Sequence, residues 1–141
     1  MTETEFRVKH SELIEYYQLI EMRFKSACAG LLADEEKGWF NRLDDYESDP
    51  FGKLIQKFKE IQRQKQLSIL SQADFDKLDE LREKRNYWVH QCFGGREPIV
   101  FRNGNVREPK YALKILQDFD DAVEWDERIT EVVRASVKSY S

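Results

Sequence analysis

The stretch Leu81-Arg82-Glu83-Lys84-Arg85-Asn86-Tyr87-Trp88-Val89-His90-Gln91-Cys92-Phe93 decides the fold. Leu78, Leu81, Trp88, Val89 and Cys92 recur at helical spacing, so the segment reads as the end of a long amphipathic helix. Arg85 falls inside that apolar stripe. At about 100° per residue it points the same way as Leu78, Leu81, Val89 and Cys92. A guanidinium there requires a buried partner, a cleft or an interface. Asn86 and His90, four apart, share the flank of the stripe. An arginine, an amide and an imidazole therefore line one edge of one helix.

Working outward, Ser71 with Asp74 has the spacing of a capping box and opens this helix, and Gly94-Gly95 end it. Beyond lies Asn103-Gly104, flanked by Ile99, Val100, Phe101 and Val106, a hairpin signal of the type I′ kind. Glu108-Pro109 restarts a helix whose stripe is Ala112, Ile115, Leu116, Phe119, Ala122, Val123 and Val133, interrupted by Asp126. Upstream, Asp49 as N-cap and Pro50 at the first helical position start a helix through about Gln66, with Leu54, Ile55, Phe58 and Ile61 inside. Its outer face is basic: Lys53, Lys57, Lys59, Arg63 and Lys65 against Glu60. Residues 34–49 form an acidic connector, with Trp39, Phe40, Leu43 and Tyr46 spaced for one short helix. The first helix takes Ser11 as N-cap and reaches Ala33, with Leu13, Tyr17, Ile20, Phe24, Ala27 and Leu31 as its stripe. The expected architecture is all-α: a four- to five-helix bundle with a small β-hairpin insertion near 98–107, forming a single domain over 1–141.

Bulk properties narrow the function. The 141 residues suit one hydrophobic core. Charged residues make up 35%, well above the usual quarter, as in helices with solvated outer faces. The net charge of −4 gives no bulk attraction to nucleic acid. No apolar run approaches the ~18 residues of a membrane span, and the acidic start Met1-Thr2-Glu3-Thr4-Glu5 lacks a signal core, so a cytoplasmic protein is expected. Cys28 and Cys92 both sit in apolar stripes and read as buried thiols. Two Cys and two His offer no zinc spacing, and neither a metal nor a cofactor is expected.

The element Arg85-Asn86-Tyr87-Trp88-Val89-His90 resembles the signature of the HEPN (higher eukaryotes and prokaryotes nucleotide-binding) superfamily, an Arg followed by a polar residue and then, four to six positions further, a His. The start Asp49-Pro50-Phe51-Gly52-Lys53-Leu54-Ile55 is similar to a Gly-basic-Leu-Ile helix start in some of its relatives. The resemblance implies a helical bundle of about this size and metal-independent endoribonuclease activity, as a toxin or defence ribonuclease. It also implies a homodimer that brings two motifs to one cleft, and an antitoxin or operon partner. Arg85, Asn86 and His90 would be catalytic. An imidazole with an unperturbed pKa of about 6.5 suits proton transfer at an attacking or leaving oxygen. An arginine stays charged and forks onto phosphoryl oxygens. Lys53, Lys57, Arg82 and Lys84 are the expected RNA contacts. Silenced toxins of this kind carry a Tyr two positions after the His; here that position is Cys92.

Two features frame the alternatives. On a straight helix Arg85 and His90 diverge by about 140°, so a kink, a long reach or a partner subunit must close the gap. A second reading makes the chain a non-catalytic helical module for a protein partner or nucleotide, with Arg85 paired to a carboxylate from the first or last helix. A third, an antitoxin- or immunity-like role, would suit the acidity. His10 reads as a surface residue ahead of the first helix. Asp118, Asp120, Asp121, Glu124, Asp126 and Glu127 read as a solvated face, and Trp39, Trp88 and Trp125 as core or dimer contacts.

Overall fold

The computed structural model describes residues 1–32 and 50–140. Among the described residues four helices carry the fold: α1 (Glu3–Leu32), α2 (Phe51–Gln64), α3 (Gln72–Asn86) and α4 (Pro109–Tyr140). A two-stranded antiparallel hairpin, β1 (Phe101–Arg102) and β2 (Asn105–Val106), separates α3 from α4. The all-α bundle with a small hairpin is thus the observed fold. The short helix expected within 34–49 lies outside the described residues.

α1 starts nine residues earlier than the Ser11 cap implied. Thr2 caps it: its hydroxyl accepts from the Glu5 N–H at 3.0 Å. Phe6, seven residues before Leu13, extends the apolar stripe by two turns and is fully buried against Trp88, Phe93 and Phe101. α2 begins one residue later than expected. Pro50, with extended backbone, holds the cap position and Phe51 opens the helix. α3 opens as expected on the Ser71–Asp74 box, with both reciprocal bonds made, at 3.1 and 2.9 Å. Asn103 and Gly104 adopt φ of +53° and +74°, as a type I′ turn requires. The hairpin also pairs with the chain start: Val106 N–H donates to the Met1 carbonyl at 3.0 Å and Glu3 N–H to the Gly104 carbonyl at 2.8 Å.

α1 and α4 run in the same direction along their length. Tyr16 meets Phe119, Arg23 pairs with Asp126, and Gly30 faces Ser136. α3 runs opposite to α4: Lys84 reaches Asp118 while Arg128 reaches back to Asp74. α2 lies against α1 through Phe24, Phe51 and Phe58, and against α3 through Phe58 and Phe75. One apolar cluster joins residues of all four helices with Ile99. Both cysteines are buried free thiols. Among the described residues no helix is long and apolar enough to cross a membrane.

Candidate functional site

The Arg85–His90 element is not a plain helix end. α3 passes at Tyr87 into a π-helical turn, Tyr87–Gln91, in which Cys92 N–H donates to the Tyr87 carbonyl at 3.0 Å, five residues back. The extra residue in the turn frees the Trp88 carbonyl from the intrahelical ladder. Two side chains take it up: His10 Nε2 at 2.7 Å and the Cys92 thiol at 3.1 Å. Since a carbonyl only accepts, His10 must carry its proton on Nε2. His10 therefore lies within α1, half-buried against Trp88 and Phe93, and is a support of the turn instead of a surface residue. Burial raises the Cys92 thiol's pKa, so it serves here as a neutral donor.

The wide turn redistributes the stripe. Leu78, Leu81, Trp88 and Cys92 are buried as expected, but Val89 is 43% exposed. A turn one residue longer advances by less than 100° per residue, which rotates Val89 outward. By the same arithmetic the angle between Arg85 and His90 falls from about 140° to roughly 70°. Arg85 is a third exposed and its guanidinium lies 3.5 Å from Glu21 of α1. Asn86 is half-buried and His90 exposed; among the described residues neither side chain has a hydrogen-bond partner. By this helix geometry Arg85, Asn86 and His90 fall toward one side of the π turn, each at least partly exposed.

The expected RNA contacts have different surroundings. Lys84 is committed to a carboxylate network: Glu80 at 3.1 Å, Asp121 at 3.2 Å and Asp118 at 3.4 Å. Burial would lower its pKa, but those carboxylates outweigh burial and hold it above the ordinary lysine value. Arg82 packs its stem over Gly52, with Asp79 3.8 Å away. Lys53 is exposed and Lys57 half-buried on α2.

The network around Lys84 also corrects the acidic face expected on α4. Asp118 is buried and accepts the Trp88 indole N–H at 2.8 Å. Asp121 binds Lys77 at 2.8 Å, and Asp126 pairs with Arg23. Asp120, Glu124 and Glu127 alone of the six are exposed. The Tyr17 hydroxyl is buried nearby, without a hydrogen-bond partner among the described residues; burial and the carboxylates of Asp118, Asp121 and Glu80 raise its pKa, so it stays protonated. Among the described residues no group of three or more His, Cys, Asp or Glu is placed to hold a metal ion.

No family model, curated protein or solved structure matches this chain.

A cleft that the sequence did not announce borders the motif. Tyr87 and Gln91 of the π turn, Gly95, Arg96 and Glu97 of the following loop, and Lys110, Tyr111 and Lys114 of α4 enclose about 480 Å³. The loop is closed by Ile99 N–H on the Cys92 carbonyl at 2.7 Å. Gly95 is required at its base: a Cβ there would lie 2.7 Å from the Gln91 carbonyl oxygen. The only trace of this cleft in the sequence was the Gly94-Gly95-Arg96 run, which marks a turn but not what it returns to.

Proposed function

We propose that this chain is a metal-independent endoribonuclease that cuts single-stranded RNA at the Arg85–His90 edge and acts as a homodimer. The observation that carries the reading is the π turn. It brings Arg85 and His90 toward one face and leaves His90 open to a ligand. In the reaction a ribose 2′-hydroxyl attacks the adjacent phosphorus and the 5′-oxygen leaves, giving a 2′,3′-cyclic phosphate and a 5′-hydroxyl. His90 moves the proton at the attacking or leaving oxygen. Arg85 donates to the phosphoryl oxygens as their charge builds. Asn86, beside them, orients the phosphate or the imidazole. Glu21 holds the guanidinium until a phosphate takes its place. Val89 and Phe93, both more than 40% exposed beside His90, supply apolar surface for the second subunit.

The mechanism requires the 2′-hydroxyl. A 2′-O-methyl group at the scissile nucleotide is expected to stop cleavage in EDTA, with cyclic-phosphate ends on the unmodified RNA. Cutting of the methylated strand would contradict it.

The ion pair between Arg85 and Glu21 favours a second reading, a non-catalytic helical module in which this pair is structural. Glu21→Gln separates the two. On the ribonuclease reading it frees Arg85 and removes a negative charge near the substrate, so cleavage rises several-fold. On the binding-module reading it lowers the melting temperature and no cleavage is seen.

A further inference from the structure

The cleft beside the motif concentrates positive charge in a chain whose net charge is −4. Three cations, Arg96, Lys110 and Lys114, line it against one carboxylate, Glu97. Their charges remain available. Arg96 makes no ion pair among the described residues. Lys110 pairs with Glu108 at 3.3 Å, in an exposed contact of the kind worth little in water. Lys114 rests over the Tyr87 ring at 3.5 Å, so an aromatic face holds it, and among the described residues it makes no ion pair with a carboxylate. The phenols of Tyr87 and Tyr111 have no hydrogen-bond partner among the described residues. Burial, with Tyr111 alongside, pushes the Tyr87 hydroxyl up to about 12, so it remains a donor at neutral pH. Cations and neutral donors around an open cleft match the oxygens of a phosphodiester.

Position ties the cleft to the cut. Gln91 lines it and is the chain neighbour of His90. Another groove, lined by the cations Lys59 and Arg63, sits beside Gln72 and Phe75 at the opposite end of α3. We propose that the Arg96–Lys110–Lys114 cleft holds the phosphate next to the one cut at His90, so that these residues set the path of the RNA strand. The proposal rests on the ribonuclease reading for the identity of the strand.

The test measures binding of a short fluorescent single-stranded RNA to His90→Ala protein, over a range of salt. Adding Arg96→Gln and Lys110→Gln, both at exposed positions, is expected to weaken binding about tenfold and to reduce the log–log salt slope by about two. Removing the same charge with Lys59→Gln and Arg63→Gln is expected to leave both unchanged. Unchanged affinity and slope in the Arg96/Lys110 variant would overturn the subsite. If the Arg96/Lys110 variant binds like its parent while unmodified protein still cleaves, the subsite alone falls. If it binds more weakly and unmodified protein never cleaves, the subsite stands and the catalytic reading falls. Absence of RNA binding in every form overturns both.

Discussion

Asp118 illustrates how one side chain can be read correctly by charge and wrongly by place. Within the acidic run of α4 it looked solvated, because consecutive acids splay around a helix. Its position faces Trp88 and Lys84, and a buried indole N–H needs an acceptor that no other described residue supplies. Asp118→Ala leaves that donor unsatisfied and is expected to cost about 2–3 kcal/mol in chemical denaturation. Asp118→Asn keeps an acceptor for the indole and should cost clearly less. Equal losses in the two variants would show that the hydrogen bond is not what matters. Arg85 is the converse case. Its place on the stripe required a partner or a cleft, and the structure supplies a carboxylate partner, Glu21, together with partial exposure.

At the level of elements, local signals that satisfy backbone groups were legible. The Ser71–Asp74 box, the Asn103-Gly104 turn and the Pro109 start each specify their own geometry without help from distant residues. The box has a measurable pH signature. Burial alone would raise the Asp74 pKa, but the Ser71 backbone and hydroxyl bonds and the Arg128 charge bring it below the ordinary carboxylate value of 3.8. A depressed folded-state pKa means that this stabilisation is complete above the unfolded value and is lost as pH falls through the folded one. Ser71→Ala is therefore expected to cost about 1 kcal/mol at neutral pH. It should also lessen, in part, the loss of stability below about pH 4, because the hydroxyl bond is removed while the backbone N–H at position 71 still donates to Asp74. A full acid dependence in the variant would contradict this account of the box. The π turn was not legible, because nothing in Tyr87–Gln91 forces it. It depends on a carbonyl acceptor finding His10, 78 residues away. The misplacement of Val89 and the change in the Arg85–His90 angle both follow from that single tertiary contact. The start of α1 was missed for a simpler reason. Between Thr4 and His10 the main core signal is one residue, Phe6, whose spacing to Leu13 shows only once the helix is extended backward.

For the whole molecule, the parallel run of α1 and α4 and the antiparallel return of α3 bring three remote segments to one end of the bundle. These are the first turns of α1, the π turn with its loop, and the start of α4. His10, Trp88 and Lys114 meet there, and the π turn that carries His90 also lines the basic cleft through Tyr87 and Gln91. Helix count and class were readable from periodicity, since each helix buries its own stripe. Which cations would remain available was not, because Lys84 and Lys114 differ only in what the neighbouring helix sets beside them: carboxylates in one case, an aromatic ring in the other. The measurement that bears most directly on the function of this assembly compares unmodified protein with His90→Ala on single-stranded RNA in EDTA. Because His90 is exposed and its side chain has no partner among the described residues, the substitution should leave the melting temperature unchanged. The account predicts cleavage by the unmodified protein and a loss of at least about a hundredfold in the variant. Cleavage that survives in His90→Ala at a comparable rate, or unmodified protein that binds RNA without cutting it, would contradict it.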